Sequence, residues 1–427
     1  MKYTLYILLV ILLTSCAVSR QISRNADENL IHQQGLSAAH IGISIYDPAE
    51  KKYLYNYQGD KYFIPASNTK ILSCYAAMKY LGDSLTGLRY TFQNDSTVLI
   101  EPTGDPSFLH PDFAQQPVYD FLRAVNRPIQ FNTSNWHEES IGSGWSWGDY
   151  LEPYMAQRSA FPVYGNIIRV SKQGNGLQIN PGVFAKLKQP AVDITKGFEV
   201  QKGWDTNALT ILPGRHQSLE VPFRPLPDEF LRLLQDTLHV KVSATTTGTV
   251  QQVQFIRSQP TDSLLKIMMH RSDNFYAEQS LLMVSHERLG VMDDAAIIDT
   301  FLANDFKGMP QKPRWVDGSG LSRYNLLTPQ DFVFVLDKMK NEFDWKRITT
   351  IFASGGNGTL GNYYQNLHGQ IFAKTGSLSN NTALSGYLVT HTGKTLIFSI
   401  LVSNHTLPAS SVRGAVETFL KYVCDHR

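Results

Sequence analysis

Ser67 and Lys70, in the run FIPASNTKIL (residues 63–72), stand three residues apart where an apolar helix begins. Positions i and i+3 share one face of a helix. A serine hydroxyl is a poor nucleophile at neutral pH and needs an adjacent base. A lysine one turn away can be that base when burial or a second cation disfavours its ammonium form. Taken alone, the pairing is weak. Ser67, Asn68 and Thr69 are also ordinary helix-start residues, and Lys70 reads equally well as a surface lysine.

Two later runs change the balance. HRSDNFY (residues 270–276) sets Ser272, Asp273 and Asn274 at a break between two helical stretches, where a tight loop could aim a hydroxyl and an amide inward. FAKTGSL (residues 372–378) sets Lys374, Thr375 and Gly376 at the end of a strand. Lys374 could be the second cation, and Gly376 lets the edge backbone come close to a ligand. Separately, these read as a helix N-cap and a strand ending in a turn. S-x-x-K, S-D-N and K-T-G in this order, each in its proper context, form the set that marks β-lactamases and penicillin-binding proteins.

The elements that must position these residues are legible from periodicity. HIGISIYD alternates Ile41, Ile43 and Ile45 as a half-buried strand, and YLYNY returns after a turn at DPAEKK. Ile71, Leu72, Tyr75, Met78 and Leu81 recur at helical spacing up to Gly82. From about Tyr90 short alternating segments and turns take over, until the helical period resumes near Pro260. Thr328, Pro329 and Asp331 make a helix start of N-cap, N1 and N3. Two more strands, turning at Thr392-Gly393, and a closing helix end the chain. The expectation is an α+β fold, with one antiparallel sheet built from both ends of the chain and flanked by helices. Residues 37–90 and 256–427 would form this domain, and residues 91–255 a β-rich insert.

Ahead of it, Lys2 and the apolar residues 5–13 suit a secretory signal. That run is shorter than the roughly 20 residues a spanning helix needs. Thr14 and Ser15 before Cys16 resemble a bacterial lipobox, making residues 1–15 a signal peptide and Cys16 a lipidation site; an ordinary signal cleaved near Ala17 is the alternative. Residues 16–36 read as a polar tether. With 39 Lys and Arg against 37 Asp and Glu, the net charge of +2 suggests no nucleic-acid partner. The three cysteines exclude a disulfide-dense scaffold, and Cys74 and Cys424 read as separate core thiols, with a single bridge between them as the alternative. No H-E-x-x-H, paired C-x-x-C or P-loop occurs, and His137 and His286, beside acids, read as solvated. No cofactor and no metal are expected.

The chain resembles the low-molecular-mass class C penicillin-binding proteins, the D-alanyl-D-alanine carboxypeptidase/endopeptidase family, along nearly all of its mature length. The resemblance rests on PASNTK, KIMMHRSDNFYAE and VDGSGLSRYNLLTP (residues 316–329), with TGDPSF, GWSWGDY and GGNGTL beside them. It implies that Ser67 attacks the carbonyl between two D-alanines of a peptidoglycan stem peptide while Lys70 takes its proton. Ser272 would relay a proton to the leaving amine with help from Lys374. Asn274 would bond the substrate amide and Thr375 the terminal carboxylate, with Gly376 beside it, and the N–H groups of Ser67 and Ser377 would form an oxyanion hole. Asp149 and Arg323 match positions that line the acyl-side pocket in relatives, and Asp149 reads equally well as a solvated loop carboxylate. β-Lactams would trap Ser67, and Cys16 would tie the exported enzyme to a membrane. A serine β-lactamase is the nearest rival, but residues 275–373 lack the E-x-x-x-N loop of class A enzymes. A non-catalytic peptidoglycan-binding lipoprotein is the other rival.

Overall fold

The computed structural model describes residues 19–93, 97–186, 193–247 and 253–427. The expected signal peptide and Cys16 lie outside the described residues. By packing, the chain forms two units. One is Met1–Tyr75, Lys266–Ser272 and Thr300–Arg427; the other is Ala76–Leu265 and Asp273–Asp299. Three of the four divisions fall within helices, Lys70–Tyr80, Thr261–Arg271 and Asp294–Ala303, whereas composition changes at residues 90 and 255.

The first unit holds a six-stranded sheet of β1 (His40–Asp47), β2 (Lys52–Tyr57), β3 (Ala353–Ser354), β4 (Ile371–Leu378), β5 (Asn381–Val389) and β6 (Thr395–Ser403). Its spatial order is β3-β4-β5-β6-β1-β2, antiparallel at every step. Both ends of the chain therefore supply it. β5 and β6 are buried along nearly their whole length because both faces are covered. On one face, the helix Ala409–Asp425 buries Val412, Val416, Phe419, Leu420 and Val423 against Ile41, Ile43, Ile45, Leu384 and Phe398. The helix Pro329–Glu342 covers the other, where Tyr387 Oη donates to Leu336 O at 2.8 Å. It starts as the sequence requires: Asp331 N donates to Thr328 Oγ1 at 3.1 Å and Thr328 N donates to Asp331 Oδ2 at 2.9 Å, a reciprocal cap. β1 is buried on both faces rather than one, since it too lies inside the sheet.

Residues 19–36 are not a polar tether. Residues 19–26 are helical and Asp27–Ile31 continue as a π-helical turn. Ile22, Ala26 and Leu30, four residues apart, are fully buried and join Leu36 in the same core as the sheet. Two turns of apolar spacing are diluted by polar neighbours in the sequence, yet each aliphatic side chain so buried contributes about 1.5–3 kcal/mol.

The second unit has its own core around Leu88, Ile100, Phe131, Phe161, Val170 and Phe198. Its five-stranded sheet runs Val242–Thr245, Ile129–Asn132, Thr97–Pro102, Ser84–Gln93, Gln254–Pro260, and the first two pairings are parallel. Smaller sheets of three and two strands accompany it, as do the helices Pro117–Val125 and Pro227–Leu238. His286 is not solvated: the helix Asn274–Leu289 is buried over most of its length, and His286 Nε2 lies 3.0 Å from Glu101 Oε1. His137 is exposed. Arg158 is also buried and meets Glu138 at 2.9 Å, Glu278 at 3.5 Å and Asp294 at 2.5 Å. Cys74 and Cys424 are both buried, and they are not joined by a disulfide.

Candidate active site

Ser67 sits in a single 3-10 turn, Ala66–Thr69, that runs directly into the helix Lys70–Tyr80. The turn is held from below. Thr69 Oγ1 donates to Ala66 O at 2.9 Å, and Asn68 Nδ2 donates to Ser385 Oγ on β5 at 2.7 Å. Ser67 stays half-buried while Lys70 is fully buried. Lys70 Nζ is 2.9 Å from Ser67 Oγ and 2.7 Å from Ser319 O. The motif spacing thus places the Ser67 hydroxyl and the Lys70 amine within hydrogen-bond reach, and a backbone carbonyl fixes the amine's other side.

That carbonyl belongs to the loop containing DGSGLSRYN, whose shape comes from Asp317. Fully buried, its Oδ1 accepts from Gly320 N at 2.8 Å and Asn325 Nδ2 at 2.7 Å, and its Oδ2 accepts from Ser322 N at 2.6 Å. The loop presents Gly318 O to Ser73 Oγ at 2.6 Å as well as Ser319 O to Lys70. Gly320 has φ of 84°, and a Cβ there would lie 1.9 Å from Ala66 O. Only glycine allows the loop so close beneath the turn that carries Ser67. The sequence marks this run as a motif but gives no hint of that work.

A second serine–lysine pair faces the same chemistry. Ser272 ends the first helix of its break with φ of 61°, and Lys374 Nζ on β4 donates to its Oγ at 2.8 Å and to Thr375 O at 2.8 Å. Lys374 is completely buried. Its ammonium is held well below the usual lysine range by burial first, then by the nearby charges of Lys70 and Arg413. Gly376 is again a close approach, since a Cβ would meet Pro65 O at 2.5 Å. Strand β3 pairs with β4 only at Phe372 and Ala373, so from Lys374 onward that edge of β4 has no strand partner among the described residues. Thr375 is half-buried and Ser377 exposed. The Ser377 Oγ accepts from Arg413 Nη2 at 2.8 Å, and Arg413 is a residue that sequence reasoning missed because no motif contains it.

In the second unit, Asp273 caps the helix Asn274–Leu289 by accepting from Tyr276 N at 2.9 Å, so the N-cap reading of S-D-N is correct for its middle residue. Asn274 Nδ2 donates to Tyr154 O at 3.0 Å. Asp149, in the 3-10 turn Trp147–Asp149, hydrogen-bonds the Tyr154 phenol, which burial and that carboxylate push up to about 12. Asn274 and Asp149 are therefore brought to one residue, Tyr154, that the sequence did not single out. Arg323, in the first unit, is exposed.

Among the described residues two groups of side chains could hold a cation, His391 with Cys424 and Asp425, and Glu138 with Asp293 and Asp294. Neither includes a residue of the motifs, and Arg158 already balances part of the second. Gly356, Gly358 and Gly361 have G-x-G-x-x-G spacing, but they surround the 3-10 turn Gly358–Leu360 rather than opening a helix after a strand.

Residues 23–422 match the model of the D-Ala-D-Ala carboxypeptidase 3 (S13) family. The D-alanyl-D-alanine carboxypeptidase of Actinomadura sp. (strain R39) is 24% identical over 93% of this chain and 84% of its own length. The D-alanyl-D-alanine carboxypeptidase DacB of Haemophilus influenzae is 22% identical over 92% of this chain and 91% of its own. The crystal structure of penicillin binding protein 4 (dacB) from that organism has a TM-score of 0.73 at 21% identity, covering 94% of this chain and 98% of the other. Its complex with a novel β-lactam has a TM-score of 0.66 at 19% identity, with the same coverage.

Proposed function

Because the chain belongs to the D-Ala-D-Ala carboxypeptidase 3 (S13) family, and so to the serine-type D-Ala-D-Ala carboxypeptidases among the class C penicillin-binding proteins, we propose that Ser67 is its nucleophile and Lys70 its base. The observation that carries this is the 2.9 Å contact between Lys70 Nζ and Ser67 Oγ. A neutral amine has two N–H donors and one lone pair. With Ser319 O taking one donor at 2.7 Å, the lone pair can accept the Ser67 proton as Oγ attacks the carbonyl between the two D-alanines. The N–H groups of Ser67 and Ser377 receive the oxyanion, each worth about 3–4 kcal/mol to the barrier. Ser272 protonates the leaving amine, and Lys374, its ammonium destabilised by burial, resupplies Ser272. The stem peptide lies extended along the unpaired edge of β4, with Asn274 bonding its amide and Thr375 its terminal carboxylate. Water then releases the acyl group from Ser67.

In this reading the substrate is a peptidoglycan stem peptide ending in D-Ala-D-Ala. Residues 91–255 are a β-rich insert, and Asp149 within it, like Arg323, is a substrate-contacting residue. β-Lactams acylate Ser67, as suits a relative solved with one bound. The enzyme works in the cell envelope, tethered through a lipid on Cys16; no helix of the described residues is long and apolar enough to cross a membrane.

The test uses protein beginning at Ala17, a peptide ending in D-Ala-D-Ala, and mass spectrometry. The native protein should remove one alanine and the Ser67→Ala variant none. Removal by both would reject Ser67 as nucleophile.

A further inference from the structure

Thr375 and Ser377 alternate along β4 and so point to the same side of the strand. Arg413 reaches this side from the helix Ala409–Asp425. Its Nη2 donates to Ser377 Oγ at 2.8 Å, and it lines one small, mostly apolar cavity with Thr375, Thr382, Tyr363, Leu384 and Val416. The Tyr363 ring, 5.4 Å from the guanidinium carbon, orients it. A guanidinium carries five N–H donors, and Arg413 forms no ion pair among the described residues. Glu417, one helical turn further on, spends Oε1 on Tyr364 N at 2.7 Å instead. A half-buried cation thus stands beside two hydroxyls on the substrate-binding strand, with no acid to answer it.

We propose that Arg413 is a specificity-determining residue that reads the free carboxylate of the substrate's last residue, acting beside Thr375 and Ser377. The inference rests on the carboxypeptidase reading and adds the charge that the two hydroxyls lack. Serine and threonine hydroxyls hydrogen-bond an amide end nearly as well as an acid one, whereas a guanidinium discriminates between them. Arg413 therefore makes the site select a chain end that is an anion.

The experiment compares native protein, Arg413→Gln and Arg413→Lys on a D-Ala-D-Ala-ended peptide and on the same peptide with a C-terminal amide. Acylation of Ser67 by benzylpenicillin and by its methyl ester is followed in parallel by mass spectrometry. Arg413→Gln should lower kcat/KM for the acid-ended peptide about 10- to 100-fold, mainly through KM, and leave the amide within about twofold. The acid-over-ester preference in acylation should collapse likewise, and Arg413→Lys should restore part of it. Equal losses on charged and neutral ligands, or no loss, would overturn the proposal, because a role in folding alone does not separate the two. A native protein whose Ser67 is not acylated would overturn the catalytic reading and this one with it. A native protein that is acylated, beside a Gln variant with an unchanged acid-to-ester ratio, would overturn this one alone.

Discussion

Replacing Asp317 by asparagine changes no volume, yet it should disable the enzyme. Three donors converge on the Asp317 carboxylate: Gly320 N and Asn325 Nδ2 on Oδ1, and Ser322 N on Oδ2. An asparagine offers one oxygen and one NH2. Whichever way the amide turns, at least one N–H faces another donor in a site with no exposure to water. Hydrogen bonds to a charged acceptor contribute about 1.5–3 kcal/mol each, and a buried donor left unsatisfied costs about 1–3 kcal/mol. Losing the charge and opposing one donor should therefore lower the free energy of unfolding by about 2–4 kcal/mol. Activity should fall further than that loss of folded protein explains, because the loop that relaxes is the one presenting Ser319 O to Lys70 Nζ. Misplacing a catalytic group by about 1 Å can cost on the order of 100-fold. Urea denaturation gives the first quantity, and the rate of Ser67 acylation by a β-lactam, measured well below the denaturation midpoint, gives the second. An Asp317→Asn variant with native acylation kinetics would refute the claim that this loop positions the base.

The buried cations and acids give two pH-dependent expectations. Lys374 has a native pKa below its unfolded value, so its buried charge destabilises the fold most at low pH, and the penalty fades as pH rises toward the usual lysine range. Lys374→Met should accordingly be inactive but harder to melt at neutral pH, with an advantage that shrinks by pH 10; a variant less stable than native at pH 7 would contradict this. Glu138 is pushed up to about 8 by burial and by the Asp294 charge, against the pull of Arg158. The folded protein therefore holds a proton that the unfolded chain releases, and stability should decline as pH rises from about 5 to about 8. Glu138→Gln should flatten that decline in thermal melts, and an unchanged slope would show that the proton sits elsewhere.

Much of this was legible because strands, helix starts and short motifs announce themselves locally. The Thr328–Asp331 cap and the order of Ser67, Lys70, Ser272 and Lys374 depend on residues close in sequence, or on motifs read one at a time. What escaped depends on tertiary neighbours. Arg413 looks like any helix arginine until β4 is placed beside it, and Tyr154 acquires meaning only through Asn274 and Asp149. His286 and residues 19–36 went astray for one shared reason: polar composition argues for water, but a helix with a few apolar or paired side chains on one face can be drawn into a core. The division into units was hidden too, since helices carry no mark where they pass from one core to another.

The helical residues 19–26 also tie the sheet to a segment far from it in sequence. The side chains at Ile22, Ala26 and Leu30 are locked into the same core as the six-stranded sheet. Ile41, Ile43, Leu384 and Phe398 of the sheet share that core. A protease cut between residues 19 and 31 would therefore loosen the sheet that carries Lys374, and clipping there would act on the site without touching it.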